Sequence, residues 1–190
     1  MNVYDFDGTI YDGDSTVDFF LYSLKKNPAL LRYLPKQGWG FLLYACKRIG
    51  KTQLKEYFFS FLKGVDASRT VNSFWVENQR KIYKWYLEQQ EPDDIIISAS
   101  PAFLLEPICS RIGIKHLIAS EVDLKTGMYS GENCRGQEKV RRLADEYNVT
   151  HIGSFYSDSQ SDLPLAKIAD AAYLVENGLV KEWKGLDAHE

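Results

Sequence analysis

Two carboxylates one residue apart, Asp5 and Asp7, follow the short apolar run Val3-Tyr4 and lead directly into Gly8-Thr9. Side chains this close repel when both are ionised unless a cation or a shared proton intervenes, so the pair points to metal binding, acid–base chemistry or both. Acidic residues beside a glycine are also ordinary turn formers, and the pentapeptide alone does not separate the two readings. Three more polar stations along the chain do.

Asp93-Asp94 leads into Ile95-Ile96-Ile97, a β-branched run that reads as a strand buried on both faces and ends at Ser98-Ala99-Ser100-Pro101. Ser100 and Pro101 have the look of an N-cap and a first helical residue, with Ala102 to Leu105 continuing the helix; the capping role fits Ser98 less well. A helix N-terminus beside a serine is a seat for an anion. Farther on, Val140, Leu143, Ala144 and Tyr147 recur at helical spacing behind Gly136, which places Lys139 in the first turn, against the helix dipole. Either an anionic partner or a solvated helix face accounts for it. The last station is the strand candidate His151 to Tyr156, running into Ser157-Asp158-Ser159-Gln160-Ser161-Asp162-Leu163-Pro164. Asp162 can cap the helix begun by Leu163-Pro164, whereas Asp158 precedes the cap position.

Strands alternating with helices predict an α/β fold with a Rossmann-like parallel sheet, in which side chains from strand ends meet in a crevice at the carboxyl edge. Asp5, Asp7, Ser98, Lys139 and Asp158 can converge there. Carboxylate and hydroxyl oxygens suit a hard cation such as Mg2+, which shares its shell with substrate phosphate, so the set has the composition of a phosphoryl-transfer site.

In this order the stations DFDGT, IIISAS, the lysine of GQEKV and SDSQSD resemble the four motifs of the haloacid dehalogenase superfamily, in its phosphoserine phosphatase-like branch; the likeness runs from residue 1 to about 175. Thr126-Gly127, Gly131, Asn133-Cys134 and Lys139-Val140-Arg141-Arg142-Leu143 add to it. The resemblance implies that Asp5 is a nucleophile forming an aspartyl-phosphate and that Asp7 is general acid and then general base. It further implies Mg2+ on Asp5, the Asp7 carbonyl and Asp158, phosphoryl oxygens on Ser98, the Ala99 amide and Lys139, and Asp162 orienting metal-bound water. Relatives acting on phosphoserine use an acid shortly after the first motif and a cap arginine. Asp14 stands at that offset, though it equally fits an N-cap, and Arg48 is the corresponding cation. Such relatives carry GDGxND at the fourth motif, where this chain has Ser157 and Ser161; the acid pair is kept, and the substrate is left open.

Between the first two motifs lie about 80 residues of helical pattern, too many for one crossover. The expected organisation is a catalytic core of residues 1–13 and 92–190 and an inserted all-helical cap of residues 14–91, with hinges at Gly13 and near Pro92. Helices are expected over Ser15–Lys26, Pro28–Leu34, Trp39–Ile49, Thr52–Leu62 and Ala67–Gln90, and a short hairpin around Lys125-Thr126-Gly127. The insertion holds 13 Lys and Arg against 7 Asp and Glu, leaving 10 against 19 elsewhere. That asymmetry either draws an anionic substrate toward the acidic site or reflects a solvated helical surface. Its many aromatic residues read mainly as helix packing, with some surplus for an apolar substrate pocket.

The 190 residues suffice for one α/β unit with its insertion, and a net charge of −3 argues against nucleic-acid binding. Cys46, Cys109 and Cys134 suggest a reducing compartment, and His116, His151 and His189 show no ligand spacing. With the first strand starting at Met1 and no membrane-length apolar run, neither a signal peptide nor stable membrane insertion is expected, although Gly38 to Cys46 could touch a bilayer surface. The expected protein is a cytoplasmic monomer or homodimer, an Mg2+-dependent hydrolase of a small phosphorylated metabolite, phosphoserine-like in kind. A phosphatase for glycerol-phosphate or phospholipid-headgroup esters, a phosphomutase, and a non-enzymatic phosphate-binding or receiver-like protein are the alternatives.

Overall fold

Six short runs build one sheet. In the computed structural model, which describes residues 1–184 and so leaves His189 outside the described residues, β1 (Asn2–Tyr4), β2 (Ile95–Pro101), β3 (His116–Ser120), β4 (Ile152–Ser157), β5 (Ala169–Glu176) and β6 (Leu179–Glu182) lie in the order β3-β2-β1-β4-β5-β6. The pairs are parallel except β5 with β6. Alternate side chains leave opposite faces of the sheet. Tyr4 and Ile96 join one apolar cluster with Leu104 and Ile108 of α6 (Ala102–Arg111), while Val3, Ile95 and Ile97 join another with Leu143 of α7 (Gln137–Tyr147). Both faces are therefore covered, as continuous apolar strands such as Ile95-Ile96-Ile97 require.

The segment between β1 and β2 is helical. It comprises α1 (Ser15–Lys26), a 3-10 turn over Pro28–Tyr33, α2 (Leu34–Ala45), α3 (Lys51–Phe59), α4 (Ala67–Asn78) and α5 (Lys84–Gln89). Helix α2 begins at Leu34 rather than Trp39, because Pro35 falls in the first turn, where its missing N–H is no loss. Helix α3 gives way to a 3-10 turn at Ser60. The single helix expected over Ala67–Gln90 is broken at Ile82–Tyr83, and the cause is tertiary: Ile82 pairs with Tyr11, the Asp12 N–H donates to the Lys81 carbonyl at 2.9 Å, and the Tyr83 N–H donates to the Ile10 carbonyl at 2.9 Å. The end of the insertion is thus hydrogen-bonded to its beginning. Beyond the break, Tyr86 of α5 packs edge-on against Tyr4 at 4.9 Å between centroids, and Tyr4 stacks on Tyr156 at 4.7 Å.

Two further ties fix the insertion over the carboxyl edge of the sheet. The buried Trp75 indole of α4 donates to the Leu104 carbonyl at 2.6 Å, its ring set edge-on to Phe6 and Tyr11. On the other side the expected hairpin is present as a turn with Val122 opposite Tyr129, and the Tyr129 N–H donates to Glu56 of α3 at 3.2 Å. Cys46, Cys109 and Cys134 are free thiols. Among the described residues no helix is long and apolar enough to cross a membrane.

Gly40 sets the closeness of α2 and α3, since a Cβ there would lie 2.4 Å from the Tyr57 Cβ. Gly→Ala in an open helix gains about 1 kcal/mol, but overpacking costs roughly 1–3 kcal/mol. Because the clashing atom adjoins the backbone, overpacking wins: Gly40→Ala should lower the unfolding free energy in urea by about 1 kcal/mol. A stabilised variant would show that the two helices do not close-pack here.

Candidate active site

In this strand order the direction of winding reverses between β1 and β4, and the crevice outside their carboxyl ends is where open α/β sheets bind ligands. Asp5 follows β1 directly and extends its pairing, its N–H donating to the Tyr156 carbonyl at 2.9 Å. The chain then coils tightly, with the Phe6 carbonyl accepting the N–H groups of Ile10 and Tyr11 at 3.0 Å. Gly8 sits in this coil at φ 71°, and a Cβ on it would lie 2.2 Å from Asp158 Oδ2. Glycine is therefore needed twice over, for its backbone angle and for the approach of Asp158. The Asp158 N–H also donates to Thr9 Oγ1 at 2.9 Å. Asp5, Asp7, Asp14, Ser98, Ala99, Lys139, Asp158 and Asp162 all line one cavity of about 360 Å³.

Lys139 is the charge centre of that cavity. Its ammonium, 1% exposed, donates to Asp5 Oδ1 at 2.9 Å and to Asp162 Oδ2 at 2.7 Å. Burial works against the charge on Lys139, but the two carboxylates overcome it and hold its pKa above the ordinary lysine value. The Ser157 hydroxyl donates to the same Asp162 oxygen at 2.9 Å, while Asp162 Oδ1 is buried and has no hydrogen-bond partner among the described residues. Burial raises the pKa of Asp5; Lys139 opposes this and Asp162 adds to it. Asp158 is pushed up to about 6, by desolvation first and then by Asp5 and Asp162. One ammonium faces three carboxyl groups, so negative charge is left over. A donor set of oxygens alone, with one buried oxygen unpartnered, fits a hard divalent cation.

A second acidic group, Glu91, Asp93 and Asp94, lies before β2, at the opposite edge of the sheet. Two of its three carboxylates are engaged structurally. Asp94 accepts from the Asn2 N–H, the Asn2 side chain and the Glu91 N–H, and Asp93 pairs with the terminal amine.

Asp7 is held apart from the lysine. Its Oδ1 accepts the Ser15 N–H at 2.6 Å and its Oδ2 accepts the Ser100 hydroxyl, which in turn lies 3.1 Å from Thr16 Oγ1. Burial is the main cause that pushes Asp7 up to about 7, with Asp14 adding and the Ser100 and Ser15 bonds opposing. This corrects the N-cap expected of Ser100: the cap of α6 is Pro101, and a register shift between Ser98 and Pro101 turns the intervening residues toward the cavity. Ser98 is buried, its hydroxyl oxygen accepting the Ser100 N–H at 3.1 Å. Asp162 makes no capping bond either. Asp14 does cap its helix, Oδ1 accepting from Thr16 and Val17 at 2.9 and 3.0 Å, while bordering the cavity.

The insertion contributes cations other than the expected one. Arg48 is exposed and does not line the cavity; Lys51 and Lys55 of α3 do, joined by Arg135 from outside the insertion. The Lys55 ammonium donates to the Ala99 carbonyl at 2.9 Å and to Asn133 Oδ1 at 3.4 Å, and burial pushes its pKa down to about 8. The sequence signal was available in the four-residue spacings of Lys51 with Lys55 and of Leu54 with Phe58, adjoining rows on one side of α3 that both line the cavity.

The sequence profile of the haloacid dehalogenase-like hydrolases matches residues 3–167, and the chain belongs to that family. It is similar to a probable phosphatase of Mycobacterium tuberculosis, 34% identical over 100 residues, which covers 47% of this chain. The match spans about a third of that relative's length, 34%. Protein CicA of Caulobacter vibrioides is 25% identical over 198 residues, 88% of this chain and 82% of that one. Among solved structures, a Bordetella pertussis protein of unknown function superposes with a TM-score of 0.70 at 20% identity, covering 90% of this chain and 87% of its own. A probable phosphoserine phosphatase of Vibrio cholerae superposes at 0.65 and 12% identity, with 90% and 55% covered. At these identities the superpositions establish a shared fold.

The surplus of carboxylates predicts a measurable strain. A carboxyl raised from its unfolded value of 3.8 to about 6 binds its proton more tightly when folded, so it costs stability above pH 6 and costs nothing below pH 4. Asp158→Asn should therefore raise stability by about 1 kcal/mol at pH 8 without divalent ions, after allowance for solvent screening at this exposed residue, and should not do so at pH 4. Added Mg2+ should raise the Tm of the wild type and leave the variant unmoved. Equal Mg2+ responses would show that the cation does not meet Asp158.

Proposed function

We propose that the chain is a phosphomonoester hydrolase in which Asp5 attacks phosphorus. The observation that carries this reading is Asp5 fixed by a buried ammonium beside Asp7, a carboxyl that protonates near neutrality, in one cavity with the Ser98–Ser100 bulge. Asp5, the Asp7 carbonyl and Asp158 would hold Mg2+, with Asp162 supporting them; when bound, the ion offsets the repulsion between a carboxylate nucleophile and an anionic phosphate.

The Asp5 carboxylate forms a bond to phosphorus as the ester P–O bond breaks, and Asp7 gives its proton to the departing alkoxide. Asp7, now ionised, takes a proton from water, whose oxygen displaces the Asp5 carboxylate from phosphorus and releases phosphate. Ser98, the Ala99 amide and Lys139 position the phosphoryl oxygens through both steps. Lys55, fixed on the Ala99 carbonyl, adds positive charge from the opposite wall.

In this reading residues 1–13 and the chain from 92 onward are the catalytic core, and residues 14–91 are a cap that excludes water from the phosphoryl site. Beside Lys51 and Lys55, the cap wall of the cavity carries an apolar part, Val17, Phe41, Leu54 and Phe58, that faces the substrate's alcohol portion.

Asp5→Asn should lower phosphate release at least ~10⁴-fold with the circular dichroism spectrum unchanged. Asp7 is protonated below about pH 7 and loses its acid form above it. The kcat for an alkyl phosphate should accordingly fall above that pH, while that for p-nitrophenyl phosphate, whose leaving group needs no proton, should not. Parallel profiles for the two esters would remove the acid role from Asp7.

A further inference from the structure

Helix α2 has one satisfied side and one bare side. Gly40 packs on Tyr57, and the buried Gln37 donates to the Phe58 carbonyl at 2.8 Å. On the outer side Trp39, Phe41 and Leu42 are 55%, 55% and 52% exposed. A solvated helix face ordinarily mixes charges of both signs. Here the stretch from residue 19 to residue 55 contains eight Lys and Arg and no Asp or Glu. Lys36 flanks the bare face at one end and Lys47 and Arg48 at the other.

An apolar stripe with indole and phenyl rings, framed by cations alone, matches an anionic lipid surface, which offers acyl carbon beneath a layer of negative headgroups. A second copy of this chain is the poorer occupant, because apposing the two faces would bring Lys36, Lys47 and Arg48 of both copies together. Twelve residues of helix extend about 18 Å against a hydrocarbon core of roughly 30 Å, so α2 can lie in the surface and cannot cross it. The bare face also opens into the active site. Phe41 belongs to both, and Val17, Leu54, Phe58 and Lys55 line the same cavity.

We propose that α2 seats in the headgroup region of an anionic bilayer and that the cavity takes the phosphomonoester headgroup of a lipid presented from it. The substrate assignment rests on the phosphatase reading above; the docking surface does not. The bond broken is the same ester P–O bond, with the proton from Asp7 ending on the lipid alcohol and water supplying the new oxygen of phosphate.

The full chain should co-sediment with vesicles of phosphatidylcholine containing roughly 30 mol% phosphatidylglycerol and stay in solution with phosphatidylcholine alone. Trp39→Ser with Leu42→Ser should weaken vesicle binding by about tenfold or more. Lys36→Gln, Lys47→Gln and Arg48→Gln together should weaken it by about 100-fold, each charge near such a surface being worth roughly fivefold. None of these side chains lines the cavity, so both variants should hydrolyse p-nitrophenyl phosphate at the wild-type rate and slow only on phosphatidate held in vesicles. Absence of wild-type binding to anionic vesicles, equal binding to neutral ones, or binding indifferent to both variants would overturn the docking surface. So would a dimer that Trp39→Ser with Leu42→Ser dissociates, which would give the face to a second copy. Vesicle binding with no turnover of any ester would keep the surface and remove the phosphatase reading; turnover of the aryl phosphate without vesicle binding would do the reverse.

Discussion

A single buried ammonium, that of Lys139, holds Asp5 and Asp162 together at the mouth of the sheet, and it is outnumbered. Moving charges out of water costs several kcal/mol per ion, and attraction to a partner recovers this only where the remaining lone pairs are also satisfied. Asp5 and Asp162 share the lysine, and among the described residues Asp162 keeps one oxygen without a partner and Asp158 forms no ion pair, its negative neighbours outweighing Lys139. The raised pKa values of Asp5 and Asp158 express that imbalance. A site tuned for stability alone would carry fewer acids. In the reading proposed above, a cation and a phosphate would relieve the imbalance.

The rest of the fold serves to keep the imbalance in place. The switch between β1 and β4 sets Asp5 and Asp158 side by side, and Gly8 removes the Cβ that would keep them apart. Ser157, standing where a glycine was expected from the family resemblance, braces Asp162 through its hydroxyl. Above them the insertion is tied at its exit by Lys81–Tyr83, through Trp75 on Leu104, and through Glu56 on Tyr129. The cavity beneath it therefore joins two chemistries, an acidic floor from strand ends and an apolar wall from helices α1, α2 and α3 that carries two lysines of α3.

Much of this was legible in the sequence, because strand ends in parallel sheets have a known destination. Asp5 and Ser98 each follow an apolar run short enough to be a strand, Asp158 follows the strand candidate ending at Tyr156, and Lys139 falls where a helix dipole makes an isolated cation unfavourable. What could not be read depended on contacts across the chain. Ser100 followed by Pro101 has every local mark of an N-cap, yet the register shift in β2 gives its hydroxyl to Asp7. The pattern from Ala67 to Gln90 is helical throughout, and only pairing with Ile10–Asp12 breaks it. Arg48 was the cation expected from the family resemblance, whereas Lys55 is the cation that reaches Ala99, since α3 faces the cavity and the segment after α2 does not line it.

The surplus of negative charge at Lys139 is open to direct measurement by carbon-13 NMR of the aspartate carboxyl groups, titrated with and without Mg2+. Without the ion, Asp158 and Asp7 should titrate near 6 and 7. With Mg2+ saturating, the Asp158 carboxyl should fall to the ordinary aspartate value of about 4 or below. Ordinary values for both residues in the metal-free protein, unmoved by Mg2+, would contradict the account.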